Sequence, residues 1–323
     1  MTSLQPSSAP SRLTNGFVVC GLAMLCCVLW GSAFPCIKIG YAMFHIGPDA
    51  VGSQLLFAGM RFTLAGIFAL VLGSLSAKRF LVPKKQSWPS IFKLCLVQTV
   101  AQYLFFYIGL ANTTGVKASI LEAANVFLAI LIPCLLLKQE KLTRAKLLGC
   151  FVGFAGVVLI NLSSGSLDFS LSFLGDGFIL LSAASYAFSS ILVKGYSKTE
   201  APFTLSGYQF ILGGIILMLC GGAAGGRVSG FTPASTLLFI YLALISAVAY
   251  SLWATLLKYN PIGNVAIYGF MNPVCGVILS AILLKESSQA FGIAGILALV
   301  LVCIGIYLVS KAEPASAKSA GKV

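Results

Sequence analysis

NVFLAILIPCLLLKQE, residues 125–140, returns as NPVCGVILSAILLKE, residues 272–286: an asparagine, a long apolar run, two leucines, a lysine and a closing carboxylate. Three more correspondences fall in the same order at a nearly constant separation of about 150 positions, the mark of a duplicated half chain. Gly59-Met60-Arg61-Phe62 through Gly73 matches Gly207-Tyr208-Gln209-Phe210 through Gly221, with Gly66 on Gly214. Trp30 to Lys38 matches Tyr186 to Lys194, and Gly149 to Ile160 resembles Ala298 to Val309. A repeat with an odd number of membrane crossings delivers the chain to the opposite side, so its two copies lie upside down to each other, as in many transporters.

The surrounding composition sets the class. The chain is 59% hydrophobic and only 9% charged, with a mean hydropathy of +0.99, whereas soluble domains carry about 25% charged residues. A bilayer core about 30 Å thick requires roughly 20 apolar residues per helix. Ten such runs occur, near 17–38, 54–76, 91–111, 116–137, 147–162, 172–193, 203–224, 235–257, 262–284 and 290–310. They are continuously apolar without a period of two, which argues against a β-barrel. The expected fold is therefore an all-α integral membrane protein of ten transmembrane helices, arranged as two inverted five-helix repeats over residues 16–163 and 170–310. Ser/Pro-rich residues 1–15 and Lys/Ala/Ser-rich residues 311–323 are expected to be disordered tails.

Charge supplies the orientation. Basic residues cluster after the second run (Lys78, Arg79, Lys84, Lys85, Lys93), after the fourth (Lys138, Lys141, Arg144, Lys146) and at Lys194, Lys198, Lys258 and beyond the last run. Cytoplasmic loops concentrate Lys and Arg, so both termini are expected in the cytoplasm. The net charge of +13 is then a topology signal and implies no nucleic-acid partner, because the basic residues are spread over many segments. The first apolar run is a full span lacking a small-residue cleavage site, so it reads as a retained helix. The ten cysteines fall in or at the ends of apolar runs and read as small core residues. The single histidine, His45, forms no metal-ligand spacing, and no phosphate-cradling glycine loop precedes a lysine. No cofactor, metal or catalytic residue is expected, and the chain does not read as an enzyme.

Trp30-Gly31-Ser32 in the first run, Arg61-Phe62 in the second, apolar helices ending at Glu140 and Glu286, and a glycine-spaced closing helix resemble the EamA branch of the drug/metabolite transporter superfamily over about residues 17–310. That resemblance implies a central cavity shared by both halves, alternating access, and export or exchange of small metabolites such as amino acids. One departure stands out: where the family often has proline, the fourth run carries Asn125, while the ninth keeps Asn272-Pro273.

Polar groups inside apolar runs carry the remaining functional information, because a charge near the bilayer centre costs about 2.5–3.5 kcal/mol on insertion scales. Glu122 is a carboxylate inside the fourth run, Arg61 lies about two turns into the second, and Lys38 closes the first. All three fall in the outer half of the membrane, where Glu122 is expected to pair with Lys38 or Arg61 as an outer gate or to carry a coupling proton. Ser119, Glu122, Asn125 and Ala129 share one helix face, as do Gln98, Gln102 and Phe106, with Tyr103 and Tyr107 alongside. Tyr268 and Asn272 form a matching stripe, with Trp253 as a stacking surface. The candidate substrate-binding set is Asn125, Asn272, Tyr107, Trp253, Tyr268, Gln98, Gln102 and Trp30, placed at the midplane between the repeats. The expected function is a secondary transporter of a small polar or amphipathic metabolite, amino-acid-like or an organic anion, acting as an exporter in a cell membrane, with a bacterial inner membrane favoured. The alternatives are a passive channel and efflux of cationic drug-like compounds. The expected partners are the solute, membrane lipids and protons; the oligomeric state stays open.

Overall fold

The computed structural model describes residues 13–47, 49–112, 121–136, 142–162, 172–283 and 293–311. Residues 1–12 and 312–323 of the two expected tails lie outside the described residues, as do Lys117, Ser119, Lys138, Glu140, Lys141, Lys285 and Glu286, while Asn15 and Lys311 belong to the ends of helices. The described part is helical, without strands. Helices α1 Gly16–Met43 and α2 Val51–Ala77 come first. A third rod follows, formed by α3 Trp88–Leu94, a π-helical stretch Cys95–Ala101 and α4 Gln102–Ala111. Next are α5 Ala124–Leu131, running into a π-helical end at Ile132–Leu136, and α6 Arg144–Leu162. The second part holds α7 Phe178–Tyr196, α8 Pro202–Ala223 and α9 Pro233–Tyr259. It continues through α10 Ile262–Ala266, a 3₁₀ segment Ile267–Phe270, α11 Met271–Leu283 and α12 Ile293–Lys311.

Local chemistry explains the starts. Asn15 accepts the Phe17 amide at 2.9 Å and so opens α1. Proline at the first position opens α8 and α9, and Thr232 with Ser235 forms a reciprocal capping box ahead of α9. Six helical stretches are long and apolar enough to cross a membrane: Gly16–Met43, Val51–Ala77, Lys85–Gly109, Phe173–Tyr196, Pro202–Ala223 and Pro233–Tyr259. Outward faces carry Leu75, Leu219, Leu237 and Ile293 exposed to the surroundings, a surface stable in lipid and not in water. The protein is a multi-pass membrane protein. All ten cysteines are free thiols, with Cys26, Cys27 and Cys95 fully buried.

The closest packing joins α2 to α8. Glycines recur every seven residues on both helices, at 52, 59 and 66 and at 207, 214 and 221. A methyl group on Gly59 would sit 2.6 Å from the Gly214 carbonyl oxygen, and one on Gly66 would sit 2.5 Å from that of Gly207. Gly221 faces the Gly52 carbonyl at 2.7 Å in the same sense. Contacts that advance along α2 retreat along α8, so the helices run antiparallel, backbone against backbone, in the manner of small-residue membrane interfaces. Beyond their ends the pair is tied again: Glu200 Oε2 accepts the Lys84 amide at 3.1 Å and Thr199 O accepts Lys84 Nζ at 3.1 Å. At the opposite end Ser53 Oγ accepts the Arg227 amide at 3.0 Å. Helix α6 packs on α12 by the same device, Gly149 against Gly305. Helix α1 lies between α9 and α11, while α4 and α5 cover α7.

Candidate functional site

Trp30 is the hub of the centre. Its ring lies 5.1 Å from Tyr250, 5.1 Å from Trp253 and 6.4 Å from Tyr186, so α1, α7 and α9 converge on one side chain. These edge-on and tilted arrangements suit aromatic quadrupoles. Trp30 packs against both of the larger apolar clusters, one containing Trp253 and Tyr268, the other Tyr107 and Tyr250. The wall continues through the Tyr103 and Tyr250 hydroxyls, hydrogen-bonded at 2.7 Å, and through the Phe62 and Phe210 rings at 5.2 Å.

Beside this wall runs a buried hydrogen-bond relay. Thr99 donates to Gln209 Oε1 at 2.6 Å, Gln209 Nε2 donates to Gln98 Oε1 at 3.1 Å, Gln98 Nε2 donates to Ser189 Oγ at 3.1 Å, and Ser189 donates to the Tyr186 carbonyl at 2.7 Å. Thr99 and Gln98 project from the π-helical stretch Cys95–Ala101, where one extra residue per turn re-aims the side chains. Gln98 therefore spends its amide on joining the π-helical part of the third rod to α7 and α8. Replacing Gln209 by leucine strips partners from both Thr99 and Gln98; the expected loss of stability is about 1–2 kcal/mol. Thr99→Val added to that variant should cost little more, because the two groups act as one unit. Denaturant unfolding of the purified single and double variants measures both values.

The charged residues lie at the two ends of the wall. Glu122 faces Asn125 and Ser182, yet its Oε2 and the Ser182 Oγ are buried without completing a hydrogen bond. Its charge reaches Tyr186, which is also influenced by Tyr103. Arg61 is buried at 3% exposure, with its guanidinium 4.6 Å above the Phe62 ring. The Arg61 charge acts on the hydroxyls of Tyr41, Tyr103 and Tyr250, and its Nε has no hydrogen-bond partner. The expected ion pair does not form: the groups acting on Glu122 include neither Arg61 nor Lys38, and Lys38 is exposed on α1.

The structure brings Trp30, Trp253 and Tyr268 into one cluster and places Tyr107, with Tyr41, on the Arg61 side. Gln102 lies beside the Tyr250 hydroxyl with its Oε1 unpaired. Asn125 meets Glu122, and Asn272 Oδ1 is buried without a partner. Further unpaired atoms are Trp30 Nε1 and Ser251 Oγ. Buried polar atoms nearly always find partners within a protein, so this concentration of unmet donors and acceptors marks a place built to hold something polar. Sequence reasoning missed Tyr41, Ser182 and Tyr250. Tyr250 stands three residues before Trp253 and was legible as the same helix face; for Tyr41 and Ser182 no such signal exists.

Comparison with known proteins gives the arrangement its context. An uncharacterised transporter of Archaeoglobus fulgidus is 31% identical over 296 residues, covering 89% of this chain and 95% of the relative. A Salmonella typhimurium protein named "Probable amino-acid metabolite efflux pump" is 27% identical over 305 residues, covering 89% and 93%. A solved structure shares the fold, with a TM-score of 0.73 at 16% identity over 90% of this chain and 98% of the other. The family model for EamA-like transporters matches residues 18–162 and again 173–311. With a membrane-embedded aromatic and polar centre and a family match over nearly its whole length, this chain belongs to the EamA-like transporter family.

Proposed function

We propose that this transporter exports a small amino-acid-like metabolite or organic anion from the cytoplasm by alternating access. Its ten transmembrane helices form two inverted five-helix repeats with both termini inside. The observation that carries the reading is that counterpart residues of the two halves meet each other. Phe62 touches Phe210, Trp30 touches Tyr186, and Tyr103 bonds Tyr250. Contact between equivalents is what a two-fold axis in the membrane plane produces, and substrate sites of inverted-repeat transporters sit on that axis. Helix geometry supports the pairing. The separation is 148 for Phe62 and Phe210 but 147 for Tyr103 and Tyr250, and the π-helical stretch Cys95–Ala101 supplies the one-residue slip between them. The glycine crossing of α2 and α8, which are counterparts lying antiparallel, supports the inversion.

In this reading Trp30, Trp253, Tyr268, Tyr107 and Gln102 line the solute path, and Asn125 and Asn272 offer amides from the two halves. Glu122 carries the coupling proton, and the membrane is the plasma or inner membrane. The test is counterflow in liposomes reconstituted with the purified protein, using pooled amino acids, organic acids and cationic dyes. Saturable counterflow of an amino or organic acid is the expected result, with its dependence on an imposed pH gradient lost in Glu122→Gln. Asn125→Ala and Asn272→Ala should each raise the half-saturating concentration, and two unchanged values would displace the site from the midplane. Conductance without saturation would identify a passive channel, and saturable flux of the dyes alone an exporter of cationic compounds.

A further inference from the structure

The two halves part company at one matched position. Gln209 and Arg61 occupy equivalent places, each just before the paired phenylalanines Phe210 and Phe62. Gln209 is fully buried and bonded at both ends, to Thr99 and to Gln98. Arg61 has no such relay. The stretch of α9 that corresponds to Gln98 and Thr99 offers Ile245, Ser246 and Ala247, and the one hydroxyl among them donates to the Leu242 carbonyl of its own helix at 3.1 Å. The pseudosymmetric counterpart of a satisfied amide is thus a buried cation with an unpaired Nε.

No carboxylate among the described residues neutralises it. Asp176 accepts the Ser172 amide at the start of α7, and Glu200 accepts the amides of Lys84 and Ala201. Glu122 faces Asn125 and Ser182. Asp49 is exposed ahead of α2, and Arg61 lies ten residues into that helix, or about 15 Å along it. The guanidinium instead lies over Phe62, whose ring is 4.5 Å from that of Tyr103; Tyr103 bonds the Tyr250 hydroxyl, and Tyr41 packs on the same cluster. Phenolic hydroxyls donate hydrogen bonds to an anion held by an arginine as readily as they accept them from one another.

We infer that Arg61, with the hydroxyls of Tyr41, Tyr103 and Tyr250, is the seat for the carboxylate of the transported solute. The inference rests on the transporter reading and sharpens it from an undefined metabolite to a carboxylate-bearing one. A single planar guanidinium matches a carboxylate edge on; a phosphate dianion would call for a second cation, and none accompanies Arg61 among the residues acting on these tyrosines. Trp30 meets Tyr250 directly and offers its face to the apolar part of the solute.

The test uses three probes with one carbon skeleton: leucine, leucinamide, which lacks the carboxylate, and 4-methylpentanoate, which lacks the amine. Binding to the purified full-length protein is followed by intrinsic tryptophan fluorescence, and unfolding temperature is recorded without ligand. Leucine and 4-methylpentanoate are expected to bind at least about tenfold more tightly than leucinamide, the scale of a charge-assisted contact. Arg61→Gln, which gives both halves the same residue, should erase that preference while raising the unfolding temperature, because an uncompensated buried charge is removed. A structural arginine would behave in the opposite way. Equal binding of leucine and leucinamide by the native protein, survival of the preference in Arg61→Gln, a lowered unfolding temperature, or no binding of either carboxylate would each overturn the seat. Carboxylate binding without counterflow in liposomes would overturn the transport reading alone.

Discussion

Gly66→Val is expected to lower the unfolding temperature of the purified protein by roughly 6–12 °C, with part of the material lost to aggregation. A first branching carbon at this position meets the Gly207 carbonyl oxygen at 2.5 Å and the Ile211 amide nitrogen at 2.8 Å. These are backbone atoms that cannot swing aside. Overpacking of a well-filled interior costs about 1–3 kcal/mol, the upper end applies where backbone must move, and each kcal/mol is worth about 2–4 °C in a chain of moderate length. The opposing control is Gly222→Ala, a helical glycine of α8 with nothing within 4 Å, which should leave the unfolding temperature unchanged or slightly raised. Equal behaviour of the two variants in a thermal melt monitored by light scattering would show that the α2–α8 crossing has room to spare.

Trp30→Ala should reduce apparent solute affinity by about 5- to 150-fold, and Trp30→Phe by far less. Ring contacts to Tyr250 and Trp253, both at 5.1 Å, hold the wall in the shape that receives the solute. Aromatic pairs are worth about 0.5–1.5 kcal/mol each beyond burial, and two of them give about 1–3 kcal/mol, tenfold being 1.4. Truncation also removes buried volume, at a further stability cost of about 3–5 kcal/mol, so the measurement is made at a temperature where both variants remain folded by circular dichroism. Phenylalanine keeps most of the ring area and lacks only Nε1, a donor unpaired in the structure. A Phe variant as impaired as the Ala variant would transfer the importance of Trp30 from its ring to that nitrogen.

The helices and the centre were legible to different degrees. Apolar length located α8 within one residue at each end, Pro202–Ala223 against an expected 203–224, because a buried span and its flanking proline are local properties. The matched glycines of α2 and α8 were equally plain, since close approach leaves no substitute for the missing side chain. The ion pair expected of Glu122 failed for a geometric reason: sequence gives depth along a helix but not which neighbour a face will meet. Gln98 looked like a binding residue because a buried amide is conspicuous, and only the three-dimensional partners reveal that Ser189 and Gln209 already occupy it. The π-helical stretch that turns Gln98 and Thr99 towards Gln209 leaves no mark in composition or periodicity.

The α2–α8 crossing also sets a timetable. The glycines at 59 and 66 find their partners at 214 and 207, so a growing chain must add about 150 residues before the groove of α2 has anything to fill it, which at about 5–20 residues per second means roughly 8–30 s. During that interval the first half of the chain stands in the bilayer with the backbone groove of α2 bare and the Arg61 cation beside it. The half-made protein is therefore the stage most exposed to misassembly and to degradation, and interruptions of synthesis between α2 and α8 should harm yield more than interruptions after α8.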